Sequence, residues 1–354
     1  MKRPFYKKCE TFTALILVLI ILVFFAATFI IEGQYIFVAS ARDAKKEYTE
    51  ENTVFENAKI FIKTFEDTFS ESVFKRSSIT PYASKINSVL LNGKTIDSPD
   101  VTLGKEDWLF YTTTTDGQPL IDYAGNDYFS EEKMSAITQN VEANRQKLEE
   151  LGIEFAVMVV PNKEQIYSEY MPDTVHRFSE VSRSDVLLDY ISKNSNVNVI
   201  NPKQELLELK DEYPLYYKYD SHWTDIGAFT AYSQMTKLFF EEGESLEGRE
   251  ITVTADTNRY HADLIKMTGL GSWFGYDNYY EVSYEKEEPY DKTILFVGDS
   301  CREALEKYIK KGFENSVVIH RNDYTPELIE QIKPDIVVLE FAERYSEKMG
   351  DIVL

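Results

Sequence analysis

Five short strand-like stretches, separated by stretches with helical patterning, restrict this chain more than any other feature. They are IEFAVMVV at 153–160, the stretch 196–200, TILFV at 293–297, SVVI at 316–319 and DIVVLEF at 335–341. Four of them are apolar nearly throughout and not at every second residue, so both faces of those strands are buried, while 196–200 (NVNVI) reads only as a further strand. Strands of that kind belong to a parallel sheet with helices packed over each side. The helical stretches fall between them. Ser130 caps a pattern that runs to Leu151 and stops at Gly152, and further stretches cover 202–210, 302–311 and 325–333. Thr224 is placed to cap a helix through 225–240. The segment 101–111 (VTLGKEDWLFY) starts a new unit after a turn signal. The acidic, tyrosine-rich segment 241–292 reads as an excursion over one end of the sheet.

The chain has 354 residues, and the part carrying this alternation is long enough for one large α/β domain with its own core. What precedes it is different. Residues 12–31 (FTALILVLIILVFFAATFII) are uncharged and apolar, and at helical rise they cover the hydrocarbon core of about 30 Å. Lys2, Arg3, Lys7 and Lys8 stand before the run, so the positive-inside rule leaves residues 1–11 in the cytoplasm. The expected organisation is therefore a transmembrane anchor at 12–31, a stalk with helical segments at 32–100, and an extracytoplasmic α/β domain at 101–354. A cleaved signal peptide is the competing reading, with Ala39-Ser40-Ala41 as a small-residue cleavage pattern. Both readings put the domain outside the cytoplasm. In the stalk, Phe55, Ile60, Phe61, Phe65 and Phe69 recur at mixed helical spacings.

A formal charge of −22 repels nucleic acid. The two cysteines, Cys9 and Cys301, would lie on opposite sides of the membrane, which leaves no disulfide framework. The four histidines at 176, 222, 261 and 320 show no metal-site spacing, so neither a metal nor another cofactor is expected.

Two constellations carry chemistry. Gly298-Asp299-Ser300 follows an apolar strand and precedes a helix. A serine there sits at the carboxyl end of a parallel strand, where open α/β sheets bind ligands, and beside helix N–H groups able to hold an oxyanion. Read alone, the triplet is equally a capped strand-to-helix turn. The second is Tyr219-Asp220-Ser221-His222-Trp223. Histidine is the base that activates a serine hydroxyl near neutral pH, and an aspartate two residues away can fix its tautomer. Read alone, this is equally a structural histidine beside a carboxylate. His176, His261 and His320 lack such a setting and read as structural.

Together with GKEDWLFY at 104–111, VVPNKEQIYSEYMP at 159–172, YYKYDSHWTDIGAF at 216–229, LFVGDS at 295–300, PDIVVLEFAERY at 334–345 and the upstream FEDTFSESVFKR at 65–76, the chain resembles the SGNH-hydrolase-like domains of the alginate O-acetylation proteins and related cell-surface polysaccharide acetyltransferases. The resemblance implies an SGNH/flavodoxin-like three-layer α/β fold with a central, mostly parallel sheet. It also implies the reversed motif order, resembling a circular permutation, that this sequence shows. It makes Asp220, His222 and Ser300 a triad. More weakly it maps Arg321 and Tyr345 onto substrate or oxyanion contacts, where a surface salt bridge and a packed aromatic are the alternatives. Cys301 departs from the bulky residue usual after the serine. The implied activity is acetyl transfer through an acetyl-Ser300 onto a hydroxyl of a cell-surface or secreted polysaccharide, supplied by a multi-spanning membrane acyltransferase. A carbohydrate acetylesterase using the same triad, and a non-catalytic glycan-binding scaffold, are the alternatives.

Overall fold

The computed structural model describes residues 37, 40–45, 53–74, 96, 98–258 and 261–354. The expected anchor at 12–31 and Cys9 lie outside these residues, as does Ala39 of the small-residue pattern. Among the described residues no helix is long and apolar enough to cross a membrane. The chain divides into two compact units, Met1–Lys94 and Thr95–Leu354.

In the first unit, residues 40–45 are helical and a long helix, α1 (Val54–Phe74), lies within the expected stalk. Thr53 starts α1 with a reciprocal cap: Glu56 N–H donates to the Thr53 hydroxyl, and Thr53 N–H donates to the Glu56 carboxylate at 2.7 Å. Phe61 meets Phe37 edge-on at 5.5 Å and Phe65 at 6.2 Å.

The second unit is built on a five-stranded sheet. Its strands are β3 (Glu154–Val160), β4 (Asn198–Ile200), β7 (Tyr290–Gly298), β8 (Phe313–His320) and β9 (Ile336–Ala342). The order is β4-β3-β9-β7-β8, and every neighbouring pair is parallel. β9, last in sequence, is inserted between β3 and β7. Three chain segments therefore leave the same edge of the sheet side by side, after Val160, Gly298 and Ala342. Alternate residues of the strands feed two cores. Ala156, Met158, Phe296 and Val338 pack under helices α6 (Lys203–Leu209), α7 (Asp225–Phe239) and α9 (Arg302–Gly312). Val157, Leu295, Val297 and Leu339 face α3 (Glu131–Glu150), α5 (Arg183–Asn194) and α10 (Glu327–Ile332). Each such fully buried aliphatic contributes roughly 1.5–3 kcal/mol, and the result is a three-layer α/β/α sandwich.

The expected strands and helices are present with shifted ends. β7 and β8 run well beyond their apolar stretches because the ladder continues, past an irregularity, to Tyr290 opposite the buried Phe313, with the polar Asp291, Lys292, Glu314 and Asn315 interrupting the apolar pattern in between. Ser130 caps α3 by accepting from Lys133 N–H at 3.2 Å, and Gly152 follows it at φ 75°. α5 was not anticipated, although Ser182 and Asp185 form a capping box and Leu187, Leu188 and Ile191 make its buried stripe. A short antiparallel pair, β1 (Val101–Leu103) with β2 (Leu109–Tyr111), opens the unit. α2 (Pro119–Ala124) and α4 (Lys163–Ile166) are single turns or little more. The excursion at 241–292 is ordered as the antiparallel pair β5 (Ile251–Ala255) and β6 (Asn278–Val282), with α8 (Asp263–Thr268) between them.

Candidate active site

Ser300 stands two residues past the end of β7 and two before α9. The turn that presents it is held by the residue before it. One Asp299 carboxylate oxygen accepts Cys301 N–H at 2.9 Å and the other accepts Ala342 N–H at 2.7 Å, so Asp299 ties β7 to β9. Asp299 N–H in turn donates at 3.0 Å to the buried Glu340 carboxyl, a group that burial holds well above the usual carboxylate range. Only glycine fits at 298: a Cβ there would run into Glu340 Oε2, with Glu340 Cβ and Arg302 Cβ each at 3.1 Å.

The histidine facing Ser300 comes from the loop between α6 and α7. His222 Nε2 lies 2.8 Å from Ser300 Oγ, and His222 Nδ1 lies 2.7 Å from Asp220 Oδ1. That loop is braced from every side. Trp223, 1% exposed, pairs with Tyr216 in an isolated bridge, and its indole N–H donates to the Cys301 carbonyl at 3.0 Å, linking the histidine loop to the serine turn. Thr224 N–H donates to Leu215 O at 2.8 Å, and the Thr224 hydroxyl accepts Gly227 N–H to start α7. Leu109 N–H of β2 donates to Lys218 O. Lys163, 3% exposed, reaches from α4 to donate to the carbonyls of Tyr217, Lys218 and Asp220 at 3.1, 3.3 and 2.7 Å. Burial lowers its ammonium to about 8 against the raising pull of Asp263, Asp277 and Asp220. Asp277 accepts the N–H groups of Lys218 and Tyr219 at 3.0 and 2.9 Å.

Asp263, the first residue of α8, completes the arrangement. Its carboxylate accepts Ser221 N–H at 2.8 Å and the Ser221 hydroxyl, while its own N–H donates to Asp220 Oδ2 at 2.8 Å. It also stands 3.6 Å from His222 Nδ1. Burial lowers the His222 pKa, but the Asp220 hydrogen bond and the charges of Asp220 and Asp263 outweigh it, and the net direction is upward. Burial works to raise Asp220, and its bond to His222 outweighs that, holding the carboxyl low. Asp263 is raised, first by burial and then by the Asp220 charge. A half-buried carboxylate, an imidazole and a hydroxyl in this sequence form the relay that makes a serine nucleophilic. The amides after Ser300 are occupied: Cys301 N–H by Asp299, Arg302 N–H by Asp299 O and Glu303 N–H by Ser300 O.

The three residues open onto a cleft of about 370 Å³ whose wall includes Tyr217, Asp256, His261, Asp277, Tyr279 and Lys307. His261 Nδ1 is engaged by Tyr279 Oη at 2.9 Å and Asp256 at 3.2 Å. The sequence treats His261 as structural, and gives Asp263 and Lys163 no role. Lys163 falls inside VVPNKEQIYSEYMP at 159–172, but Asp263 belongs to the excursion, where no local pattern marks it. Arg321 and Tyr345 are not among the residues that line this cleft. The Arg321 guanidinium lies 4.7 Å over the Tyr345 ring, and the Tyr345 hydroxyl donates to Asp116. Cys301 is buried, and burial pushes its thiol well above the ordinary value, so it offers no thiolate. His320 Nδ1 accepts Asn322 N–H beyond β8. Possible ligand atoms of Asp220, His222 and Asp263 lie within 4.8 Å of one another, as do those of Asp299, Cys301 and Glu340. In both sets the carboxylates already serve backbone N–H donors.

A three-layer sandwich with a serine at the carboxyl edge of its parallel sheet, facing a histidine–aspartate pair, defines the SGNH-hydrolase-like class. Residues 101–320 match the family described as SGNH hydrolase-like domain, acetyltransferase AlgX, and the chain belongs to that family. It is 24% identical over 294 residues to a probable alginate O-acetylase AlgJ of Pseudomonas syringae pv. tomato, covering 72% of this chain and 71% of that one. Among solved structures, the O-acetyltransferase domain of Pseudomonas putida AlgJ superposes with a TM-score of 0.51 at 17% identity, covering 72% of this chain and 99% of that one. Bacillus cereus PatB1 with a sulfonyl adduct gives 0.51 at 13% identity, covering 72% and 100%. At these identities the structural likeness speaks for the fold.

Proposed function

We propose that this protein is an extracytoplasmic polysaccharide O-acetyltransferase working through an acetyl-Ser300 intermediate. The observation that carries the reading is the unbroken relay Asp220–His222–Ser300, with contacts of 2.7 and 2.8 Å. Family membership and relatives named as O-acetylases support acetyl as the transferred group. His222 Nε2 takes the Ser300 proton as Oγ attacks the acetyl carbonyl of an ester or thioester donor. Asp220 holds the imidazole in the required tautomer and stabilises its cation. With the following amides occupied, Ser300 N–H is the backbone donor assigned to the tetrahedral oxyanion. Collapse breaks the bond to the leaving group, which departs with the proton from His222. A sugar hydroxyl then gives its proton to His222 and attacks the acetyl-serine, the new ester forms, and Ser300 recovers its hydrogen. The apolar run at 12–31 would hold the domain at the outer membrane face, near a membrane acyltransferase that delivers acetyl groups from the cytoplasm.

Acetylester hydrolysis is a second reading, favoured by the access the site leaves to water: the His222 side chain is 31% exposed. The two differ in the acceptor and share the intermediate. The test is the full-length protein in detergent with a chromogenic acetyl ester, with and without oligosaccharides, followed by intact-protein mass spectrometry. The wild type is expected to gain one acetyl group on Ser300 and pass it to oligosaccharide. Ser300→Ala and His222→Ala should lose turnover by on the order of 10³-fold or more. Acetate release with no acetylated sugar would leave the esterase. Turnover surviving in Ser300→Ala would remove the triad altogether.

A further inference from the structure

Beside the catalytic cleft lies a second hollow of about 410 Å³ that the relay chemistry does not use. Trp108, Tyr167, Tyr213, Tyr217, Tyr276 and Tyr280 line it. Trp108 stacks on Tyr170 at 4.6 Å and leans on Tyr167 at 4.7 Å, so its indole is fixed in place. The Tyr167 hydroxyl is anchored by accepting Leu215 N–H at 3.0 Å. Tyr276 projects, 49% exposed. The hollow shares Tyr217 and Asp277 with the cleft. Asp277 also pins the two residues before Asp220, so the two spaces are walls of one loop.

Rigid aromatic faces with polar tips offer apolar surface to the C–H faces of a sugar ring and hydrogen bonds to its hydroxyls. Charge narrows the choice. In the lining of both hollows carboxylates outnumber lysines. Lys307 is already held by Asp225 at 2.6 Å and Lys210 by Glu169 at 2.8 Å, while the ammonium of Lys218, the remaining lysine of the lining, lies 5.6 Å over the Tyr219 ring. A chain of uronate sugars would be repelled here at short range.

We propose that this aromatic groove is the acceptor subsite. It seats sugar rings of a glycan without carboxylates, next to the ring that receives acetyl at Ser300. The assignment rests on the acetyl-transfer reading for its catalytic sense, but binding alone can test it. Titration calorimetry on the full-length Ser300→Ala protein would use chitotetraose, cellotetraose and tetramannuronate. A neutral tetrasaccharide is expected to bind at least about ten times more tightly than tetramannuronate, and Tyr276→Ala to lose about tenfold in Kd. Phe178→Ala, also exposed but outside the groove, should leave Kd unchanged. In the otherwise wild-type enzyme, Tyr276→Ala should raise the tetrasaccharide KM about tenfold with kcat nearly kept. Preference for tetramannuronate, no binding of either neutral tetrasaccharide, or equal effects of Tyr276→Ala and Phe178→Ala would overturn the proposal. Loss of acetyl-Ser300 with groove binding intact would instead sink the acetyl-transfer reading alone.

Discussion

His222 is governed by two carboxylates, only one of which touches it through a good hydrogen bond. Asp220 accepts from Nδ1 at 2.7 Å, while Asp263 stands 3.6 Å away and acts through charge. Both stabilise the imidazolium and raise the His222 pKa from its usual 6.5. A general base must be neutral to take a proton, so ester turnover should rise with pH through the His222 pKa, with its acid limb above 6.5. Asp263→Asn removes one raising charge and keeps the shape, so the limb should move to lower pH with kcat at its plateau falling modestly. Asp220→Asn should instead cost on the order of 10²–10⁴-fold in kcat, because the tautomer is no longer fixed. A pH–rate profile on the chromogenic ester checks both. An acid limb unmoved in Asp263→Asn would mean that this carboxylate only braces Ser221.

At the scale of elements, the site depends on two strands held at one spacing. Asp299 bonds across to Ala342 at the end of β9, and Gly298 lets Glu340 approach β7 closely enough to accept Asp299 N–H. Gly298→Ala would force that contact apart. The expected cost is about 1–3 kcal/mol of stability, together with a larger loss of ester turnover because the Ser300 turn moves away from His222. Thermal unfolding and kinetics measured side by side separate the two effects; an unchanged melting temperature would contradict the close packing of Glu340 on Gly298. These elements also show what the sequence could reveal. The apolar strands and the capped α3 and α7 were legible because a continuous apolar run or a cap is a local signal. The Asp220–His222 pair was legible because both residues sit on one turn. Their union with Ser300 came from the joint motif pattern. Asp263 was not legible, since it reaches Asp220 only through the folding back of the β5–α8–β6 excursion. The ends of β7 and β8 escaped because polar residues, Asp291 and Lys292 in one strand and Glu314 and Asn315 in the other, separate the apolar runs from Tyr290 and the buried Phe313.

The whole molecule separates two requirements that the sequence presents as one continuous chain. Every strand of the sheet, both hydrophobic cores, the relay and the aromatic groove fall within Thr95–Leu354. The domain should therefore fold and acylate without the first unit, while delivery of acetyl groups at a membrane should need it. A protein beginning at Thr95 is expected to unfold cooperatively, with a melting temperature within a few degrees of the full chain's catalytic domain. It should hydrolyse a soluble acetyl ester through Ser300 within about threefold of the full-length rate, an energy difference below ~1 kcal/mol. In membranes carrying an acyltransferase, the same truncated protein should acetylate little polysaccharide, and fusing an unrelated single-span anchor should restore it. Restoration by a foreign anchor would make the first unit a tether. Failure of that rescue, with ester turnover intact, would mean that α1 and its neighbours recognise the acetyl-delivering partner, a role that no residue of the relay can supply.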